Sequence, residues 1–352
     1  MSWRNNLRAV EPYVAGEQPK LKNLIKLNTN ENPYGPGRLV KQAIRDFEVD
    51  RLRLYPNADA EDLRHALAEY YGLKDRQIFL GNGSDEVLAL TFLTCFNSDL
   101  PILFPDITYS FYPVYCELFQ IDYELVPLRD DFSIAKEDYF KENGGVIFPN
   151  PNAPTGSTVT VEDIEDVIRH NPNSVVVIDE AYVDFGGDSV VKLIDRYENL
   201  LVIHTFSKFR GLAGIRLGVA MGSEELVSHL YDVKNSFNSY PIDALAQAIG
   251  LASVKDSDVI KANAAKVMAT RERVVKELKA MGFTMPESRA NFIFIKHESA
   301  NAKDLFMKLR AEGIVVRYFN QPRIDQYLRV SIGTDEQMDR FLEVMKDILA
   351  GA

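Results

Sequence analysis

The stretch Val175–Tyr182, VVVIDEAY, sets four apolar residues in succession against two acids, an alanine and a tyrosine. Apolar side chains at successive positions face both sides of a sheet, so the run suits a strand buried on both faces. Five similar runs occur at Gln77–Leu80, Ile102–Phe104, Gly145–Phe148, Leu201–His204 and Leu217–Ala220. Helical patterns alternate with them. Leu63, Ala66, Leu67 and Tyr70 recur at i, i+3, i+4 and i+7 before Gly72, and Val161–His170 is opened by Thr160 with Asp163 three residues on. This alternation predicts an α/β fold: a mostly parallel central sheet flanked by helices.

Beyond about residue 250 the pattern changes to a long charged helix through Arg271 and Lys279, strands at Phe292–Ile295 and Ile314–Arg317, and a last helix after Thr334. This reads as a smaller α+β C-terminal domain. At the other end, Pro12, Gly16 and Pro19 break up residues 1–28, and the turn formers of NTNENPYGPG (Asn28–Gly37) follow. The expected organisation is an N-terminal arm over 1–28 packing with the small domain, a large domain over 29–250, and a small domain over 251–352.

Of 352 residues, 46% are hydrophobic and 26% charged, the balance of an ordinary globular chain. Fifty-one acids against 40 Lys and Arg give a net charge of −11, which disfavours a phosphate-backbone surface and hence a nucleic-acid partner. Any anionic ligand must find local arginines and helix N-termini. Cys95 and Cys116 sit in apolar surroundings and read as reduced thiols, and the five histidines lack ligand spacing, so no metal is expected. No N-terminal apolar segment resembles a secretory signal and no run approaches the ~18 apolar residues of a membrane span. The expected location is the cytoplasm, away from any membrane, and the Asn82-Gly83-Ser84 sequon is read as chance.

In an open parallel sheet, ligands gather beyond the carboxyl ends of the strands. Four polar segments follow apolar runs there. Gly81–Glu86, GNGSDE, offers close backbone approach, the Ser84 hydroxyl and a helix N-terminus to a phosphate, or is merely a cap. Asp179 could hold Mg²⁺, but the chain has no Walker A motif; a carboxylate there could instead bind a protonated ring nitrogen. Thr205-Phe206-Ser207-Lys208 is followed by GLAGIR ending at Arg216, and a partly desolvated Lys208 near other cations has an amine suited to imine formation. In PNAPTG, Pro151–Gly156, turn chemistry explains the prolines and glycine, while Asn152 could donate to a phenolate oxygen. As an ordered set these describe a site for pyridoxal 5'-phosphate.

The order PNAPTG, VVVIDEAY, TFSK and AGIRLG resembles the fold-type I aminotransferases. EPYVAGE, KLNTNENPYGP, Tyr55-Pro56, GNGSDE and the closing LRVSIG look like the histidinol-phosphate aminotransferase branch, and the resemblance runs from about Pro12 to Gly333.

That resemblance implies that Lys208 bonds the cofactor covalently and acts as the proton-transfer base, that Asp179 pairs with the ring nitrogen, and that Tyr182 and Asn152 contact the ring oxygen. Tyr109 is the chosen ring-stacking residue, with Tyr112 the alternative. Ser84, the Asp85 backbone, Ser207, Arg216 and, from the other subunit of a homodimer with shared active sites, Tyr55 would hold the cofactor phosphate. Arg329, aided by Arg317 and Tyr13, would clamp the anionic group of each substrate, a phosphorylated amine or a dicarboxylate or oxo-acid. Ala153 stands where the motif commonly has a second Asn. The implied activity is transamination between imidazole acetol phosphate plus glutamate and histidinol phosphate plus 2-oxoglutarate, in histidine biosynthesis. A threonine-phosphate decarboxylase and an aromatic amino-acid aminotransferase are the alternatives within the cofactor class. The non-enzyme alternative is a ligand-sensing module of a transcription regulator, which is not expected here because only about 28 residues precede the first loop.

Overall fold

The computed structural model describes residues 2–14, 16–19 and 24–351; the parts of the expected arm at 1, 15 and 20–23 lie outside the described residues. The chain builds a seven-stranded sheet in the order Ile78–Asn82, Leu217–Gly222, Leu200–Thr205, Val176–Asp179, Gly145–Pro149, Ile102–Pro105, Tyr123–Val126. Six of these strands share one direction, and five of them pair in parallel. Leu217–Gly222 is antiparallel to both of its neighbours. The edge strand Tyr123–Val126 escaped the sequence reading because three of its four residues are exposed and it carries no buried run.

Doubly buried strands need apolar cover on both faces. One face carries Phe148, Ile178, Val202 and Val219 beneath the helices Glu61–Tyr71 and Val161–His170; the other carries Ile147, Val177, Ile203 and Ala220 beneath Gly83–Cys95. The helix boundaries follow their local chemistry. Thr160 Oγ1 accepts the Asp163 N–H at 3.1 Å at the start of Val161–His170, and Gly72 ends Glu61–Tyr71 at φ +70°.

A separate cluster joins the helices Ser257–Ala280, Ala302–Ala311 and Asp335–Ala350 to the strands Phe292–His297 and Leu328–Ser331. The expected single strand at 314–317 is divided. Ile314–Val315 pairs in parallel with Ile25–Lys26, while Arg317–Tyr318 pairs with Leu328–Ser331 in another sheet. Residues 25–26, just before the Asn-rich loop, are thereby tied to the C-terminal part of the chain. No helix among the described residues is long and apolar enough to cross a membrane, and Cys95 and Cys116 are free.

Candidate active site

The central sheet continues from Ile102–Pro105 to a neighbour on one side and then to Gly145–Pro149 on the other, and such a reversal opens a crevice at the carboxyl ends of the strands. A cavity of about 190 Å³ lies at those ends, lined by Ser84, Asp85, Tyr109, Asp179, Tyr182, Ser207, Lys208 and Arg216. Eight of the residues expected from the sequence thus meet in one place, from segments spread over more than 130 positions.

Asp179 ends its strand and is buried. Its Oδ2 accepts the Tyr112 hydroxyl at 3.1 Å and its Oδ1 the Ala181 N–H at 3.2 Å. Burial pushes the carboxyl up to about 6, with those two hydrogen bonds pulling the other way. No cation pairs with it among the described residues. Lys208 Nζ donates to the Thr29 carbonyl at 3.0 Å and lies 5.7 Å from the Tyr182 ring centre. The Tyr182 hydroxyl accepts from Asn30 Nδ2 at 3.0 Å.

On the opposite wall, Arg216 Nη2 donates to Asp85 Oδ2 at 2.9 Å and Nη1 to Ser207 Oγ at 3.4 Å. The arginine reaches this position because Gly83, at φ +78°, has no side chain: a Cβ there would stand 2.4 Å from Arg216 Nη2. Ser84 follows in the first turn of the helix Gly83–Cys95, where unpaired N–H groups and the helix dipole favour an anion.

Tyr109 lines this cavity and donates to Asp85 Oδ1 at 3.0 Å, whereas Tyr112 is fully buried behind Asp179. The structure therefore gives the two tyrosines different neighbours, and only Tyr109 presents a face to the cavity. Asn152 lies in the turn beside the cavity, with its Oδ1 buried and without a partner. Its Nδ2 donates to the Ile107 carbonyl and to Thr155 Oγ1, both at 3.0 Å, so the amide closes the turn; Ala153 takes the cavity wall instead. Tyr55 is 82% exposed, stacked on Tyr240 at 4.7 Å, and lines neither cavity of this chain.

A second cavity of about 140 Å³ adjoins the first across Thr29, Tyr109, Tyr182 and Lys208 and brings in Tyr13, Arg317 and Arg329. Tyr13 reaches it by stacking on Phe111 at 4.6 Å. Arg329 is held by the Asn28 carbonyl at 3.0 Å and between Phe292 and Phe319, 5.4 and 5.6 Å from the ring centres. Its Nε is buried without a partner, and burial draws its guanidinium below the usual arginine value. Among the described residues neither Arg317 nor Arg329 has an acid within ion-pair distance, although 20 Lys or Arg contacts with carboxylates form elsewhere. Arg323, by contrast, pairs with Asp106 at 2.7 Å and pins a loop.

The set meets the chemical requirements of pyridoxal phosphate: an amine, a buried acid lacking a cation, and a helix N-terminus with an arginine and two serine hydroxyls for a phosphate. Thr29, Glu31, Thr108 and Thr205 also line the cavities, and the sequence reading gave none of them an individual role. Thr29 acts through a backbone carbonyl, which leaves no residue-type signal.

Residues 22–345 match the aminotransferase class I and II family. A histidinol-phosphate aminotransferase of Lactococcus lactis subsp. cremoris (strain MG1363) is 54% identical over 349 residues, covering 99% of this chain and 98% of that one. The chain belongs to the histidinol-phosphate aminotransferase family. Among solved structures of this kind, the histidinol-phosphate aminotransferase of Clostridium acetobutylicum superposes with a TM-score of 0.86 at 25% identity, over 94% of this chain and 100% of that one. The Sinorhizobium meliloti histidinol-phosphate aminotransferase, solved in complex with pyridoxal-5'-phosphate, shares the fold at a TM-score of 0.84 and 22% identity, over 93% and 91% of the two chains. Family membership agrees with a cofactor cavity and an arginine-lined cavity that share Lys208.

Proposed function

We propose that the chain is a pyridoxal-phosphate-dependent transaminase interconverting imidazole acetol phosphate plus glutamate and histidinol phosphate plus 2-oxoglutarate, a step of histidine biosynthesis. The observation that carries this reading is the pair of acid-free arginines, Arg317 and Arg329, which line one cavity together with Lys208. Cations left without acids in a partly buried wall are suited to an anionic ligand, and a guanidinium fork matches phosphate and carboxylate alike.

Pyridoxal phosphate, when bound, supplies an aldehyde that condenses with amines and a ring that takes up the electron pair left at the substrate carbon. Lys208 would hold it covalently, with Arg216, Ser84, Ser207 and the helix N-terminus at Gly83 on its phosphate. Ionised Asp179 would accept the ring N–H and keep that nitrogen protonated. Tyr182, oriented by Asn30, would donate to the ring oxygen, and Tyr109 would cover the ring face. The Lys208 amine, on a residue that lines both cavities, would also be the group that takes up and returns the substrate proton. Arg329 and Arg317 would orient the substrate anion, with Tyr13 covering it.

The division into an arm over 1–28, a large domain over 29–250 and a small domain over 251–352 belongs to the same proposal, as does a cytoplasmic location. So does a homodimer in which Tyr55 completes the partner's cofactor site. Exposure of Val49, Leu52, Leu54 and Phe237 around Tyr55 and Tyr240 supports an apolar contact surface there.

The purified holoenzyme should form glutamate from histidinol phosphate plus 2-oxoglutarate. Carbon dioxide release from threonine phosphate alone, or faster turnover of phenylalanine or tyrosine than of histidinol phosphate, would overturn the reading. Lys208→Ala should abolish turnover and the borohydride-trapped cofactor peptide.

A further inference from the structure

We propose that Thr108 is the specificity residue that distinguishes a phosphate monoester from a carboxylate at the Arg317–Arg329 wall. The proposal rests on the transaminase reading and adds the means by which one pocket treats its two substrate anions differently. Thr108 Oγ1 is buried and has no hydrogen-bond partner, yet the residue lines the same 140 Å³ cavity as Arg317 and Arg329. Arg329 Nε is in the same condition. A buried hydroxyl without a partner is unfavourable and uncommon in folded proteins, and here the two residues that carry these unsatisfied donors line one cavity, together with Asn28, whose Oδ1 is a buried acceptor without a partner. A ligand that relieves both is an acceptor on more than one side.

The shape of the anion separates the two substrates. A carboxylate presents two coplanar oxygens, both of which a single guanidinium fork can engage at once. A phosphate monoester presents three outer oxygens arranged tetrahedrally, so at least one lies off that plane and needs another donor. A hydroxyl meets this need without adding a positive charge, which would strengthen binding of every anion.

Thr108 is also held in place from both sides. Asp106 accepts the Leu128 N–H at 2.9 Å and pairs with Arg323, and the buried Ile107 gives its carbonyl to Asn152. Tyr109 is tied to Asp85. A donor whose backbone is fixed before the ligand arrives loses little entropy on binding. The contact of Asn152 with Ile107 thus acquires a purpose in shaping this wall.

The test compares wild type, Thr108→Val and Thr108→Ser as holoenzymes. It measures inhibition of the glutamate half-reaction by inorganic phosphate and by glutarate, and kcat/KM for histidinol phosphate. Thr108→Val should weaken phosphate inhibition and lower kcat/KM for histidinol phosphate about tenfold each, roughly 1.4 kcal/mol. Glutarate inhibition should move less than about threefold, as the guanidinium fork already engages both carboxylate oxygens. Thr108→Ser, which keeps the hydroxyl, should restore the wild-type ratio; Thr108→Ala serves if the valine variant does not fold. Equal shifts for phosphate and glutarate, an unchanged phosphate constant, or failure of serine to restore it would overturn the proposal. If wild type does not turn over histidinol phosphate while the phosphate constant still shifts selectively, the substrate reading falls and Thr108 stands.

Discussion

The Tyr112 hydroxyl donates to Asp179 Oδ2 at 3.1 Å from a position wholly buried behind the cavity. Burial drives the carboxyl toward its neutral form, and this hydrogen bond opposes it. Tyr112→Phe should therefore raise the Asp179 pKa further and weaken cofactor binding by about 1.5–3 kcal/mol, the worth of a hydrogen bond to a charged group. Cofactor titration of the apoprotein at pH 7, monitored by absorbance, checks this; unchanged affinity would show that Tyr112 only packs.

A carboxyl held at about 6 when folded, against an ordinary value of 3.8, binds its proton more tightly in the native state. Its favourable contribution is complete below the unfolded value and is lost as pH rises through about 6, a change of about 3 kcal/mol over that window. Asp179→Asn should thus make the cofactor-free protein more stable than wild type at pH 8, with the advantage shrinking toward pH 4. Denaturant unfolding of both proteins across pH 4–8 reads this difference directly, and parallel curves would contradict it.

Arg329→Ala removes a buried guanidinium that has no acid to leave behind, so the fold should tolerate it while the substrate anion loses its main partner. The expected loss is about 2–5 kcal/mol in kcat/KM, the scale for truncating one side of a buried charge pair, and carried chiefly by KM. Steady-state kinetics with either substrate decides; an unaltered KM would remove Arg329 from the anion site.

Behind Asp179 on the other face, Glu180 accepts from His204 Nε2 at 2.8 Å, Ser189 Oγ at 2.5 Å and the Val190 N–H at 2.7 Å. Burial works to lower the His204 pKa, but the Glu180 hydrogen bond and charge overcome it and the net direction is up. A raised histidine contributes stability that is present below its unfolded value of 6.5 and lost as pH rises through the folded one. Glu180→Gln should cost about 3–5 kcal/mol at pH 6 and less at pH 9. Chemical unfolding at the two pH values tests the pair; an equal loss at both would argue that His204 is neutral throughout.

The large sheet and the cofactor anchors were legible because each signal is local. Consecutive apolar residues can be satisfied only by a strand buried on both faces, and Asp179, Lys208, Ser84 and Arg216 lie within a turn or loop of such strands, so strand order nearly dictates that they meet. Tyr109 and Tyr112 show the limit of that reasoning. Both follow the strand Ile102–Pro105, yet which way a side chain turns depends on partners remote in sequence, Asp85 for the one and Asp179 for the other.

What the amino-acid order determined by itself was the α/β architecture and the group of residues able to hold pyridoxal phosphate, since periodicity and strand-end position are properties of short segments. Only the tertiary structure decided the anion wall, where Tyr13, Thr108, Arg317 and Arg329 come from segments up to about 300 residues apart. Packing of the loop after Ile102–Pro105 against the C-terminal strands leaves the Thr108 hydroxyl and the Arg329 Nε buried without partners, and no pattern within a short segment records a partner that is missing.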